Sequence, residues 1–186
     1  MALRNSTEQD LLREDHGKVA VLTLNRPDAR NALSESLLSA LQGSFDQIKD
    51  DQSVHVVVLK AAGPGFCAGH DMREVLDNRQ RSYYEWLFAQ CTKVMTSIKA
   101  LPQPVIAAVQ GAAMGAGAQL AATCDMVLAS TEAKFATPGV NIGLWCSTPS
   151  VAVSRSVGQK AAMEMLLTGD MMDAETAQRF GLVNRV

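Results

Sequence analysis

Two stretches rich in glycine and alanine carry the chemistry this chain can offer. The segment 111–118 (GAAMGAGA) holds nothing bulkier than Met114. A turn that small lets backbone come very close to a ligand. Where it opens a helix, it leaves free N–H groups that stabilise developing negative charge. The segment 63–71 (GPGFCAGHD) has the same small-residue character and also follows an apolar run. Side by side, two such turns can each offer one N–H to a single carbonyl oxygen, which is how an oxyanion hole is built. Taken singly, each is also an ordinary strand-to-helix turn.

Other motifs are missing. GxGxxG does not occur, because Gly63, Gly65 and Gly69 have the wrong spacing, as do Gly111, Gly115 and Gly117. A dinucleotide or P-loop reading is therefore weak. There is no GxSxG elbow and no HExxH. His16, His55 and His70 are scattered, so no metal site is expected. Cys67, Cys91, Cys124 and Cys146 show no CxxC and read as reduced, mostly buried thiols of an intracellular protein. His70, beside the first turn, can serve as acid or base, or can be purely structural. Asp71 reads as a helix cap. Asp125 reads as an anchor for the strand that follows, and Glu132 as a solvated carboxylate. Tyr83, Tyr84 and Trp86 cluster at a helix start.

These turns need strands and helices to hold them. The runs 19–25, 54–61, 105–109 and 126–129 are apolar and β-branched and predict buried strands. Ser34 is placed to cap a helix with Leu37, Leu38, Leu41, Phe45 and Ile48 on one face. Ser82 and Glu85 have capping-box spacing, opening a helix with Leu87, Cys91, Val94, Met95 and Ile98 on one side and Pro102 and Pro104 beyond its end. Further helices are expected over 115–123, over 158–167 with Gly169 closing it, and over 173–180 with Gly181 closing it. Strands alternating with helices predict an α/β fold with largely parallel strands.

The 186 residues suffice for one domain with a real core, and 47% of them are hydrophobic. A flanking segment 1–16 precedes a core domain 17–186. Net charge is −2, from 17 basic and 19 acidic residues, so no strong field draws nucleic acid or an anionic membrane. No apolar run reaches the roughly 18 residues of a membrane span. The start, MALRNSTEQDLLRED, is neither a signal peptide nor a transit peptide. The last residues, Asn184 to Val186, read as a strand cut short, so truncation at the C-terminal side is expected.

Several blocks together resemble the crotonase (enoyl-CoA hydratase/isomerase) superfamily. They are LTLNRPDARNALS (22–34), VVLKAAGPGFCAGHD (57–71), IAAVQGAAMGAGAQLAATCD (106–125), AKFATPGVNIGL (133–144) and MEMLLTGDMMDAETAQRFGLVNRV (163–186). The resemblance implies a crotonase-like spiral of ββα units, with the C-terminal helical part missing, and a homotrimer or hexamer at full length. It implies a coenzyme A thioester as ligand or substrate, with no separate cofactor. The backbone N–H groups of Ala68 and Ala116 would be the oxyanion donors. Asp28, Ala29 and Arg30 would lie near the CoA nucleotide, and Ala68, Gly69, His70 and Asp71 would line the pantetheine end. Gly115, Gly139 and Trp145 complete the implied substrate contacts.

The chain departs from the family's pattern at two positions. Hydratases of this superfamily use two glutamates, where this chain has Gln119 and Gly139. An amide is no general base at pH 7, and glycine has no side chain. The expectation is an acyl-CoA-binding protein that is not an efficient hydratase, with Gln119 kept as a candidate for any surviving catalysis. The other reading is an enzyme acting through an enolate as isomerase, decarboxylase or hydrolase, assisted by His70, Gln119 or Asn141. After Gly143-Leu144, where the family runs through small glycines, stand Trp145, Cys146, Ser147, Thr148 and Pro149. Trp145 would reshape the acyl pocket or pack into the core. Some relatives bind RNA through a lysine-rich helix, but the helix here has one lysine and four acids, which does not make a phosphate-binding face. Location in the mitochondrial matrix, with the transit peptide absent, and a role in lipid metabolism follow from the resemblance alone.

Overall fold

In the computed structural model, which describes residues 9–186, β1 (Leu11–His16) and β2 (Val19–Leu24) form an antiparallel hairpin. Gly17 turns it with φ +61°, in the left-handed region that glycine enters freely. Beyond β2 the sheet is parallel. β3 (Val56–Ala61), β4 (Val105–Val109) and β6 (Met126–Ala129) follow in the order β1-β2-β3-β4-β6. A second sheet joins β5 (Ala112–Met114) and β7 (Lys134–Ala136) in parallel, with β8 (Met172–Asp173) antiparallel on its edge. The α/β class expected from the sequence is observed.

Between the strands lie α1 (Glu35–Asp50), α2 (Met72–Asp77), α3 (Arg81–Ala100), α4 (Ala116–Thr123), α5 (Ser147–Ser156), α6 (Gln159–Thr168) and α7 (Ala174–Phe180). Ser34 caps α1, its side chain accepting from the Leu37 N–H. The five apolar residues spaced along α1 are all buried, and α1 packs against α3. Gly169 and Gly181 close α6 and α7 in left-handed conformations, as their positions predict.

Four expectations need correction. The strands are not buried on both faces. Ala20, Leu22 and Leu24, then Val57 and Leu59, then Val105, Ala107 and Val109 are buried, while the residues between them are only half-buried. One face of this sheet therefore carries the main core. Residues 11–16, read as part of a flanking segment, belong to the sheet as β1, and only Leu11 on that strand is buried. The beginning of that segment, including the start of the leader reading, lies outside the described residues. The Ser82–Glu85 capping box does not form. The helix starts at Arg81, Gln80 occupies the cap without a side-chain bond, and Glu85 pairs with Arg81 at 2.7 Å instead. Finally, 111–118 is no simple turn, since β5 occupies its middle and α4 begins at Ala116.

Candidate functional site

The two small-residue segments do lie side by side. Cys67 and Ala113 form a parallel bridge, in which Cys67 N–H donates to Ala112 O at 3.0 Å and Met114 N–H to Cys67 O at 2.9 Å. The contact is so close that side chains are excluded at three glycines. A Cβ at Gly117 would overlap the Cys67 carbonyl oxygen, and one at Gly111 the Pro64 carbonyl oxygen. Gly69 has φ +95°, and a Cβ there would stand 2.9 Å from Met114 O and 3.4 Å from Ala116 N. Backbone is thus packed directly on backbone where the turns meet.

The amides divide into engaged and unengaged. Ala68 N–H donates to Arg30 O at 3.0 Å, so this amide, expected to be a donor for a ligand, is already occupied. Gly69 O and Asp71 N–H both bond to Leu33, at 2.7 and 3.2 Å. Backbone groups alternate sides along an extended segment, so the intervening His70 N–H points away from Leu33. It has no hydrogen-bond partner among the described residues. Ala116 N–H, the first of α4, is also without one. Two unpartnered amides therefore stand on adjoining turns, on His70 and Ala116. Sequence alone does not reveal this choice, because what occupies Ala68 is a main-chain carbonyl distant in sequence.

A third segment holds the first turn in place. Arg26 bonds Asp71 Oδ2 at 3.0 Å and Ala32 O at 2.6 Å. Asn31, wholly buried with φ +52°, donates to Ala62 O at 2.8 Å and Gly65 O at 2.9 Å, and its Oδ1 accepts from Arg26 N–H. Asparagine tolerates the left-handed region better than most residues, which is the one sequence signal that marks it. From the other side, Gln110 Nε2 reaches Ala61 O at 2.9 Å and Gly63 O at 3.0 Å. The sequence reading passed over Arg26, Asn31 and Gln110, all of which position the turn.

Asp71 caps α2, as its position suggests, with Oδ1 accepting from Arg73 N–H at 3.1 Å. Asp125 anchors the start of β4 rather than the strand that follows it, since Oδ2 accepts from Val105 N–H at 2.9 Å. Burial works to raise its pKa, but Lys99 at 2.8 Å and the Val105 amide outweigh this and hold it below the usual carboxylate value. Cys67, within the first turn, is pushed up to about 12 by burial and stays a thiol.

The His70 imidazole packs edge-on against Phe88 of α3, with centroids 5.4 Å apart. Both ring nitrogens are buried without a partner, and burial lowers the pKa, so the ring is neutral at pH 7. Gln119 is 5% exposed, and its Oε1 is likewise buried and unpartnered. Gly139 begins a tight loop closed by Leu144 N–H donating to Gly139 O at 2.9 Å. A Cβ at 139 would stand 2.6 Å from Leu144 O and 2.8 Å from Cys146 Sγ, so the Cys146 thiol occupies the space of a side chain at that position.

One cavity borders the turns and a second lies alongside α4. One, of about 600 Å³, is bordered by Arg30, Ala68, Met114, Pro138 and Asn141, with Gly169 and its neighbours at one side. The other, of about 510 Å³, lies between α3, α4 and α5 and includes Gln119. Trp145 borders neither and does not enter the core, being 47% exposed on its loop. Asp28 is exposed on a 3-10 turn with Ala29, and Arg30 follows in a left-handed conformation at the edge of the first cavity. Tyr83, Tyr84 and Trp86 do cluster, with ring centroids 5.9 and 6.1 Å from Tyr83, but at the α3 start and outside both cavities.

Known proteins share this framework. Residues 14–186 match the family described as enoyl-CoA hydratase/isomerase. The human mitochondrial enoyl-CoA hydratase domain-containing protein 3 is 45% identical over 89% of this chain, which spans 54% of that protein. The crystal structure of an enoyl-CoA hydratase from Mycobacterium smegmatis superposes with a TM-score of 0.94 at 54% identity, covering 96% of this chain and 70% of that one. The crystal structure of the human domain-containing protein 3 gives 0.92 at 41% identity, covering 95% and 70%.

Proposed function

The chain belongs to the enoyl-CoA hydratase/isomerase family, and from that premise we propose that it binds acyl-CoA thioesters without hydrating enoyl groups efficiently. The observation that carries this reading is the unpartnered amide pair of His70 and Ala116 on adjoining turns. Both donors can reach one thioester oxygen, and the N-terminus of α4 favours the negative charge that gathers there. The pair replaces Ala68 and Ala116 as the donor assignment. Asp28, Ala29 and Arg30 lie where the nucleotide end would pass, and the 600 Å³ cavity beside Arg30 and Ala68 is the place for the pantetheine arm. With Gln119 and Gly139 at the two positions in question, no carboxylate there can activate water or return a proton.

A second reading is an enolate-forming enzyme, and His70 favours it. A neutral imidazole with both nitrogens free stands beside the amide pair and can take or give one proton. In line with the relatives' names, the setting proposed is the mitochondrion; a role in lipid metabolism and a homotrimer or hexamer as the assembled form rest on the family resemblance.

Calorimetric titration with CoA, acetyl-CoA and octanoyl-CoA tests the main reading. Acyl-CoA should bind tighter than CoA, and the chain should leave crotonyl-CoA unhydrated at rates typical of the family. Equal binding of all three, or rapid crotonyl-CoA hydration, overturns it. Isomerised, decarboxylated or hydrolysed product in the same mixtures, lost in His70→Gln, moves the conclusion to the second reading.

A further inference from the structure

Two consecutive residues, Arg30 and Asn31, both have φ +52°. Among the described residues they are the only ones besides glycine with positive φ. Asparagine enters this region with modest strain, whereas arginine lacks the short polar side chain that favours it. Such strain persists only where the surroundings hold it.

Here the surroundings are the first turn. Arg30 O accepts from Ala68 N–H at 3.0 Å, Leu33 N–H donates to Gly69 O at 2.7 Å, and Leu33 O accepts from Asp71 N–H at 3.2 Å. These three bonds tie the segment 26–33 to the residues that enclose the His70 amide. The Asn31 side chain adds its bonds to Ala62 O and Gly65 O, and Arg26 bridges Ala32 O and Asp71 Oδ2. Gly65 O is also 3.3 Å from Gln110 Nε2, so one carbonyl links the segment to the residue before the second turn. Pro27 lies so close to Gly63 that a Cβ there would stand 2.7 Å from the Pro27 Cβ. The segment has a wet end and a dry one. Asp28 and Arg30 are exposed, and Asn31, Ala32 and Leu33 are buried.

We infer that the segment 26–33 couples the two ends of a bound thioester, with Asn31 as the positioning residue. The inference rests on the acyl-CoA reading above, which puts the nucleotide end at 28–30, and deepens it. The segment has two arrangements, one strained with its bonds to the turn made, the other relaxed with them parted. Nucleotide contacts at the wet end favour the strained arrangement, and the bonds to Ala68, Gly69 and Asp71 then aim the His70 amide at the thioester oxygen. The coupling is reciprocal, so a thioester held by the amide pair also firms the segment for the nucleotide. Asn31 acts through the turn, by its two donated bonds and its tolerance of positive φ.

The first test uses 3′-phosphoadenosine 5′-diphosphate, the nucleotide half of CoA. It carries no thioester and acts on the turn only through the segment. At saturation it should slow hydrogen exchange of the Ala68 and Asp71 amides about fivefold. The Leu182 amide, bonded to Ala177 O at the end of α7, should show no comparable change. No slowing overturns the inference, and so does a half-ligand that leaves residues 28–30 untouched. Asn31→Gly gives the second test, because glycine takes positive φ without strain but makes no side-chain bond. A merely structural loss of competent protein weakens CoA and acetyl-CoA by the same factor and leaves their ratio unchanged. A misaimed amide weakens the thioester contact alone. In Asn31→Gly the calorimetric preference for acetyl-CoA over CoA should fall towards one, and the exchange effect should vanish. Arg26→Lys keeps the charge beside Asp71 without the fork that also reaches Ala32 O. It should lower the preference as well, which keeps the test alive if Asn31→Gly does not fold. A preference present in the unaltered chain and unchanged in the variants overturns this inference alone. If acetyl-CoA binds no tighter than CoA in the unaltered chain, the acyl-CoA reading itself fails, and the coupling goes with it.

Discussion

Gly117 and Gly139 each stand where a side chain would collide with backbone, yet their surroundings differ. Behind Gly117 is the Cys67 carbonyl, buried and bonded to the Met114 amide that joins the two turns. Moving it means breaking that bridge. Behind Gly139 are Leu144 O and Cys146 Sγ, on a loop whose residues 141–145 are all exposed. The amide cradle is fixed by main chain packed on main chain, whereas the 139–146 loop rests on α6 at its start and is exposed beyond that. A fold of this kind can keep one half of a reactive site constant while a surface loop decides which group reaches the ligand.

Four measurements can break or sharpen that contrast. Gly117→Ala should be the most disruptive, because the added methyl meets buried backbone. A loss of about 3 kcal/mol is expected for such overpacking, roughly 6–12 °C in melting temperature at this size. A drop under about 2 °C on thermal denaturation would show the cradle to be as yielding as the loop.

Thiol reactivity separates the same regions. Cys67, Cys91 and Cys124 are each pushed up to about 12 by burial, whereas Cys146 on the loop is only half-buried. Alkylation of the folded protein, mapped by mass spectrometry, should mark Cys146 on the order of a hundredfold faster than the others. Comparable rates would mean that the loop is as closed as the core.

Gly139→Ala should cost less than Gly117→Ala, about 1–2 kcal/mol read from the urea midpoint, because the Leu144 carbonyl it meets at 2.6 Å sits on an exposed loop that can re-route. A cost matching Gly117→Ala would erase the distinction.

The smallest effect is that of pH on His70. Its folded-state pKa lies below the ordinary value of 6.5 because burial disfavours the charged ring. On acidification the unfolded chain takes the proton first. The His70 contribution to stability is therefore constant above about pH 6.5 and falls as pH drops from there towards the folded-state value, with a slope below about 1.4 kcal/mol per pH unit. His70→Gln should flatten that limb of the stability curve, and an unchanged slope would mean the imidazole is solvated after all.

Elements with a strong period or an unambiguous cap were legible in the sequence. For α1, the Ser34 cap and the apolar spacing pointed to the same helix, and α6 and α7 ended at the glycines that suggested their ends. The helix α5 was not read, because STPSVAVSRS is serine- and valine-rich and a poor helix former by itself. It forms through packing on α4 and α6, with Pro149 tolerated in its first turn. The strand β1 escaped because REDH is polar, and β5 because a three-residue strand leaves no period to see. At the site, the resemblance placed both turns, but it could not show that Arg30 O occupies the Ala68 amide, nor that Trp145 lies outside both cavities. Such facts depend on chain segments distant in sequence meeting in space.

The thiol behind Gly139 bears on the order in which this site can be rebuilt. A carboxylate introduced at 139 would meet Leu144 O and Cys146 Sγ before it met any ligand. Replacing Cys146 first removes one obstacle, and re-routing the chain at 143–145 removes the other. Only then does a side chain at 139 find room. Under the proposed reading, every variant of a library at position 139 alone would meet the same obstruction. Positions 139 and 146 therefore have to be varied together.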